Sequence, residues 1–164
     1  MENNLRNLLK NIKKIETLYS SVQDLYLEKM LLKLAFLEFT GWIENYLDNI
    51  YLTTAQGDLQ LQCEVQKYIQ KCYSFDYEKI KGCLCFCVGA NNCINIETQV
   101  SEIELQTFKS SLKTVKNKRD ELAHNSVNEI VSPYMSFVEL KKHIKIIYSG
   151  LQQIKNYLKQ NNFI

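Results

Sequence analysis

Glycine and proline, which interrupt helices, are scarce in this sequence, and so are arginine and histidine. Among its 164 residues only five are glycine and one is proline, and arginine and histidine occur twice each beside eighteen lysines. So few breakers favour helices over a strand-rich fold with many tight turns. With 46% hydrophobic and 23% charged residues, the chain is expected to form one domain over residues 1–164, with a substantial buried core.

Long apolar runs are also missing. No segment reaches about 18 consecutive apolar residues, so no transmembrane helix and no membrane association are expected. The first four residues are polar and lack the apolar core of a signal peptide. We therefore expect a cytoplasmic protein whose six cysteines are free thiols. The net charge of +2 does not by itself indicate nucleic acid.

The cysteines do not follow a metal-binding pattern. Cys83, Cys85 and Cys87 alternate with other residues, and Cys93 follows. Positions two apart on a helix point about 200° apart, whereas a metal site needs converging ligands. We expect small core residues here, and neither a metal nor another cofactor.

Apolar residues recur at spacings of three and four along most of the chain. This periodicity predicts an all-α bundle of five to six helices, over residues 4–19, 22–52, 59–72, 75–88, 102–124 and 137–158. The 22–52 helix is apolar over most of its circumference and is expected at the centre of the fold. Gly89 is a plausible C-cap, followed by a turn at residues 90–92.

Arg119 stands where its helix calls for an apolar residue. Reading back from Leu122, apolar residues at spacings of three and four define one helical face, which position 119 continues (Leu105, Phe108, Leu112, Val115). Burying a guanidinium costs free energy of folding unless a counter-charge pairs with it, and such a residue is otherwise kept for a function. We therefore expect a buried counter-charge from the 22–52 helix, either Glu44 or Glu38.

His124 follows Arg119 by five positions. In an ideal helix the two side chains are about 140° apart, so they share a face only if the helix frays or widens near its end. Asp120 precedes His124 by four residues, where a carboxylate can accept the imidazole proton and fix the tautomer.

These residue types suit RNA cleavage. The substrate's own 2′-hydroxyl is the nucleophile, imidazole serves as base or acid near neutral pH, and guanidinium grips two phosphate oxygens at once. Lys116 and Lys118 could attract phosphate, although a charge run is usually a solvated face. One Arg and one His supply only half of an acid/base pair with its cations. A symmetric dimer would supply two of each.

The motif and its setting resemble the HEPN superfamily. Residues 116–124 (KNKRDELAH) are similar to the family string K-x-x-R-N-x-x-A-H, and residues 42–47 (WIENYL) resemble its acid-bearing second helix. Residues 73–77, with the apolar run to Gly89, resemble the insert of the RiboL-PSP and MAE-like groups. The resemblance covers residues from about 22 to 158.

This resemblance implies a compact helical core, a homodimer built on the motif helices and metal-independent endoribonuclease activity in a toxin or anti-phage role. It makes Arg119 the phosphate-stabilising cation, His124 the acid/base, Asp120 the polar residue shaping the site and Glu44 the acid orienting Arg119. Asp120 departs from the commoner Asn. Ser126 stands where the subgroup controlled by adenylylation has Tyr, so that control is not expected.

Three hypotheses follow. The leading one is a HEPN-type ribonuclease acting on single-stranded or looped RNA, with an antitoxin or defence-system protein as a possible partner. The second is a non-catalytic HEPN interaction or dimerisation module. The third is a structural bundle in which Arg119 only pairs with an acid and His124 only ends a helix.

Overall fold

Seven helices form the regular structure of the chain. A computed structural model describes residues 2–71, 74–124 and 135–164, with the side chains of residues 2–4 and of His124 outside that description. The helices are α1 (Glu2–Ser21), α2 (Leu25–Thr54), α3 (Leu59–Lys71), α4 (Tyr77–Val88), α5 (Ala90–Thr98), α6 (Glu102–His124) and α7 (Phe137–Gln160). No strand occurs in these ranges, which confirms the predicted all-α class.

Short polar side chains cap the beginnings of most of the helices, α2, α4 and α7 among them. Asp24 and Asp76 each accept a hydrogen bond from the backbone N–H three residues later, at 2.9 Å and 3.0 Å. At α7, Ser136 and Glu139 form a reciprocal capping box. These bonds satisfy N–H groups that have no partner within the helix, and they fix where α2, α4 and α7 begin.

Helix α5 lies where the sequence predicted a turn, and it takes the helix count past the expected five to six. Gly89, with a φ of 85°, ends α4 as predicted and also precedes the first residue of α5. Asn is a weak helix former and indicated a turn at Asn91 and Asn92. The helix forms nevertheless, because Cys93 and Ile96 are buried on one face of it.

Helix α2 is central, as predicted. It packs against α1, α3, α4, α6 and α7. Its buried apolar side chains make up much of the core (Leu32, Ala35, Phe36, Phe39, Trp42, Ile43, Tyr46, Leu47, Ile50, Tyr51). Its first half differs from the expectation, because Leu27, Met30, Leu34 and Leu37 are between 38% and 48% exposed.

Helix α6 packs against α7, α2 and α4. The predicted stripe is correct for Phe108, Leu112, Val115 and Leu122, all of which are buried. Arg119 lies at the edge of this stripe rather than inside it, with 32% of its side chain exposed. This placement sets the guanidinium between α6 and α2.

Candidate active site

Arg119 is held by two carboxylates from two helices. Its Nη2 donates to Glu44 Oε1 of α2 at 3.1 Å, and its Nη1 donates to Asp120 Oδ1 at 3.1 Å. The predicted pairing of Arg119 with Glu44 is therefore present. Two of the five N–H donors of the guanidinium are engaged by these carboxylates, so the group keeps donors for a further anion.

The pair is less buried than the sequence suggested. The Arg119 side chain is 32% exposed and that of Glu44 is 42% exposed. Glu44 is thus not the buried counter-charge expected from an apolar stripe. Because solvent screens a half-exposed pair, its contribution to folding is small, while its accessibility leaves the guanidinium open to a ligand.

Asp120 connects Arg119 to Lys116. Its Oδ2 accepts from Lys116 Nζ at 3.1 Å while its Oδ1 accepts from Arg119. Partial burial raises the pKa of Asp120, but the hydrogen bonds from Lys116 and Arg119 outweigh that effect and hold it below its usual value. Asp120 is therefore an anion near neutral pH, and it orients two cations side by side.

The two lysines proposed to contact RNA differ in their surroundings. Lys118 Nζ lies 3.1 Å and 3.0 Å from the two carboxylate oxygens of Glu121, and only 11% of its side chain is exposed. Lys116 is 29% exposed and shares Asp120 with Arg119. Of the two, Lys116 is better placed to meet a phosphate bound at Arg119.

Glu38, the alternative partner for Arg119, belongs to another face of α2. It accepts a hydrogen bond from Asn11 of α1 at 3.4 Å and lines the groove between those two helices. Glu44 follows Glu38 by six positions, which is about 240° around the helix axis. The tertiary arrangement therefore selects Glu44.

His124 is the last residue of α6. Its side chain lies outside the described part of the structure, so the proposed acid/base role has a position along the helix but no side-chain geometry.

A cavity of about 330 Å³ opens beside Arg119. Helices α2, α3, α4 and α6 contribute to its wall, together with residues 74 and 75 (Glu44, Leu47, Asp48, Tyr51, Ile69, Gln70, Ser74, Phe75, Cys83, Arg119). Phe75, Tyr51, Leu47 and Cys83 are buried, so much of the wall is apolar or aromatic. A volume near 300 Å³ is at the lower end of the range for small-molecule sites.

Asp48 is a site residue that the sequence analysis missed. It follows Glu44 by four positions, so the two carboxylates are neighbours on one face of α2. Burial raises its pKa above the usual value, and no ion pair or hydrogen bond joins it to another side chain in the described ranges. The i, i+4 spacing of the two acids was visible in the sequence. Because most residues around them are apolar, the sequence did not show that both acids line one cavity.

The second histidine lies in a different setting. His143 of α7 meets Ser111 of α6, with Nδ1 and Oγ 2.6 Å apart. Burial, and then the nearby Lys142 charge, lower the pKa of His143. Neither Ser111 nor His143 lines the Arg119 cavity, so His143 is not part of that site.

Within the part of the chain that the structure describes, no three His, Cys, Asp or Glu side chains form a group suited to a metal ion. No helix over the same residues has the length and hydropathy needed to cross a membrane. Comparison with protein-family models, with curated proteins and with solved structures gives no match to this chain.

Proposed function

We propose that this chain is a HEPN-type endoribonuclease that acts as a homodimer in a toxin or anti-phage role. The observation that carries the proposal is the half-exposed guanidinium of Arg119, held by Glu44 and Asp120 at a cavity. A guanidinium fixed from two sides is preorganised for the charge that develops on a phosphorane. The resemblance to HEPN proteins supplies the substrate class.

The chemistry needs no nucleophile from the protein. The 2′-oxygen attacks phosphorus, the bond from phosphorus to the 5′-oxygen breaks, and the products are a 2′,3′-cyclic phosphate and a 5′-hydroxyl. One imidazole removes the proton of the 2′-hydroxyl, and an imidazolium gives a proton to the leaving oxygen. His124 supplies these groups, Arg119 stabilises the negative phosphoryl oxygens, and Glu44 and Asp120 position Arg119.

A homodimer supplies the second imidazole, and the exposed stripe of α2 supports such a dimer. Residues 27, 30, 34, 37, 41 and 44 are spaced alternately by three and four, which is the a/d repeat of a helix seam. Leu27, Met30, Leu34 and Leu37 are exposed on this seam, and Gly41 and then Glu44 are its next positions. Parallel pairing of two α2 helices would bring two Arg119–Glu44 pairs to the same end.

The exposed face of α6 is mostly polar (Gln106, Ser110, Lys113, Asn117). We therefore assign the dimer axis to α2, with α6 beside it, rather than to the α6 helices themselves.

The experiment is RNA cleavage in excess EDTA. Purified protein should cut single-stranded RNA and leave 2′,3′-cyclic phosphate ends. His124→Ala should lower the rate by ~10²–10⁴-fold because it removes the acid/base group. Arg119→Lys should also be severely impaired, because an ammonium cannot make the forked contact. His143→Gln, purified identically, is the control and should retain activity.

The second candidate is a non-catalytic interaction module. The exposed α2 stripe also suits this function, because it presents an apolar helix face. Absence of cleavage by a folded dimer, or full activity in His124→Ala, would contradict the ribonuclease and leave the interaction module as the better reading. A requirement for Mg²⁺, or equal cleavage of DNA, would contradict the proposed mechanism.

A further inference from the structure

The cavity beside Arg119 combines an apolar wall with several polar and charged side chains. Its aromatic and aliphatic wall includes Phe75 and Tyr51, both less than 5% exposed, and Leu47. An apolar wall favours a ligand part such as a planar ring, because a ring that enters the cavity leaves water. The Arg119 guanidinium, at the same cavity, suits a phosphate attached to that ring's sugar.

The polar groups of the cavity favour one kind of base edge. Asp48 offers two acceptor oxygens and no partner among the described side chains. A carboxylate is best matched by two neighbouring N–H donors. Guanine has this pair, at N1 and the exocyclic N2. Adenine and cytosine place one donor beside an acceptor, and uracil places its single donor between two acceptors.

Gln70 lines the same cavity and can complete the match. Its amide N–H₂ is able to donate to the O6 oxygen of guanine, which lies next to N1. Asp48 follows Glu44 by one helical turn, and Glu44 holds Arg119 at 3.1 Å. Side chains one turn apart are separated by about 5–6 Å at Cβ, so Asp48 and the Glu44–Arg119 pair are neighbours at this cavity.

We propose that this cavity binds a guanine base, with Asp48 accepting from N1 and N2 and Arg119 holding the adjacent phosphate. The proposal rests on the proposed ribonuclease function, because it makes guanosine the nucleotide read beside the cleaved bond. Asp48 is then a specificity-determining residue for base recognition.

Binding of mononucleotides tests the proposal without any catalysis. Calorimetry with guanosine 3′-monophosphate should give a dissociation constant about tenfold to a hundredfold below those of the adenosine, cytidine and uridine 3′-monophosphates. Inosine 3′-monophosphate lacks only the N2 amine and should bind with intermediate affinity to the unaltered protein. Equal binding of all five, or no binding, would overturn the proposal.

Asp48→Asn provides the matched variant. Its amide replaces one acceptor by a donor, so the preference for guanine over adenine should fall at least about tenfold. Glu78→Gln removes a carboxylate from an exposed position on α4 outside the cavity and should keep the preference. If Asp48→Asn keeps a native thermal unfolding curve and the full guanine preference, Asp48 does not read the base.

Two further measurements distinguish RNA from a free guanine nucleotide as the ligand, and they distinguish failure of the guanine site from failure of the nuclease proposal. An RNA oligomer with a single guanosine should bind more tightly than the mononucleotide and be cut beside that guanosine. If free guanosine triphosphate bound more tightly than the oligomer, and the oligomer did not compete with it, the assignment of the cavity to RNA would be overturned. Cleavage of RNA without a preference for guanine would contradict the guanine site alone. Binding of guanine without cleavage would contradict only the proposed ribonuclease activity.

Discussion

The plane of the Arg119 guanidinium is fixed from two directions. Glu44 reaches it from α2 and Asp120 from the neighbouring position of α6, each at 3.1 Å. Lys116 holds Asp120 in turn. The cluster of two cations and two anions is locally neutral, so in the proposed nuclease it would orient the phosphate rather than attract RNA from a distance.

Glu44→Gln should affect activity more than stability. The amide oxygen keeps one acceptor but loses the charge, and both partners are at least 32% exposed, so the free energy of unfolding should fall by less than about 1 kcal/mol. Loss of orientation should slow RNA cleavage by up to about 100-fold. Urea unfolding and initial cleavage rates measure the two effects.

Glu38→Gln is the control for Glu44→Gln. It makes the same change on the same helix, at a carboxylate that meets Asn11 rather than Arg119. It should leave both quantities near their original values. A loss of several kcal/mol in Glu44→Gln would show that the ion pair is a structural element of the core instead.

Stability should fall between pH 7 and pH 5 partly because of His143. Burial, followed by the Lys142 charge, lowers its folded-state pKa below the usual value of 6.5. The unfolded chain then binds more protons than the folded chain as the pH drops through this window. The contribution of neutral His143 to stability is therefore fully present above about pH 6.5, near the pKa of His143 in the unfolded chain. It is lost as the pH falls through the lower pKa of His143 in the folded protein.

Urea midpoints at about pH 7.5 and pH 5.5 measure this effect. His143→Gln should lessen the difference between the two midpoints, while His124→Gln should leave the contribution of His143 in place. An unchanged pH dependence in His143→Gln would refute the assignment of this titration to the histidine that meets Ser111.

At the scale of the elements, α6 approaches α7 closely at Gly150. A Cβ built on Gly150 of α7 would come within 2.4–2.7 Å of three atoms of the Phe108 ring. Phe108 is 5% exposed and packs edge-on against Tyr77, with ring centroids 6.0 Å apart. The glycine therefore permits the contact that seats α6, and with it Arg119, against the rest of the bundle.

Gly150→Ala should destabilise the fold although alanine favours helix. The gain in helix propensity is about 1 kcal/mol, whereas overpacking costs about 1–3 kcal/mol, and three atoms of the buried Phe108 ring lie where the new methyl group would stand. Gly82→Ala is the matched control, because its nearest neighbour would be Tyr68 Oη at an ordinary 3.8 Å. Thermal unfolding should give a lower midpoint for Gly150→Ala and an unchanged or higher one for Gly82→Ala.

At the scale of the whole molecule, the proposed dimer rests on the exposed stripe of α2. Leu34 and Leu37 are 47% and 38% exposed, so charged substitutions there should not disturb the core. Leu34→Glu with Leu37→Glu should convert the dimer into a folded monomer of 19.3 kDa. Cleavage should be lost with the dimer, because each copy supplies one His124.

Light scattering and circular dichroism check this prediction together. Val138→Glu places the same charge on another exposed apolar residue, 75% exposed on α7, and should remain dimeric and active. A mass of one chain for the unaltered protein at tens of micromolar would argue against the dimer, as would a double variant that stays dimeric.

Much of the fold was predictable from the sequence because its signals are local. Apolar spacing predicted the six longer helices, and the capping side chains of Asp24, Asp76 and Ser136 mark where three of them begin. The predicted turn at residues 90–92 was wrong because Cys93 and Ile96 are buried, with α5 packed against α4 and α7. Local propensity does not record such contacts.

The sequence alone determined the helical class, the unusual position of Arg119 and its two possible acid partners. Only the tertiary structure selected Glu44, brought Asp48 into the same cavity and left Leu34 and Leu37 uncovered. The physical reason is that helical periodicity reports which residues share a face. Which neighbour covers that face, and how completely, depends on how the helices pack.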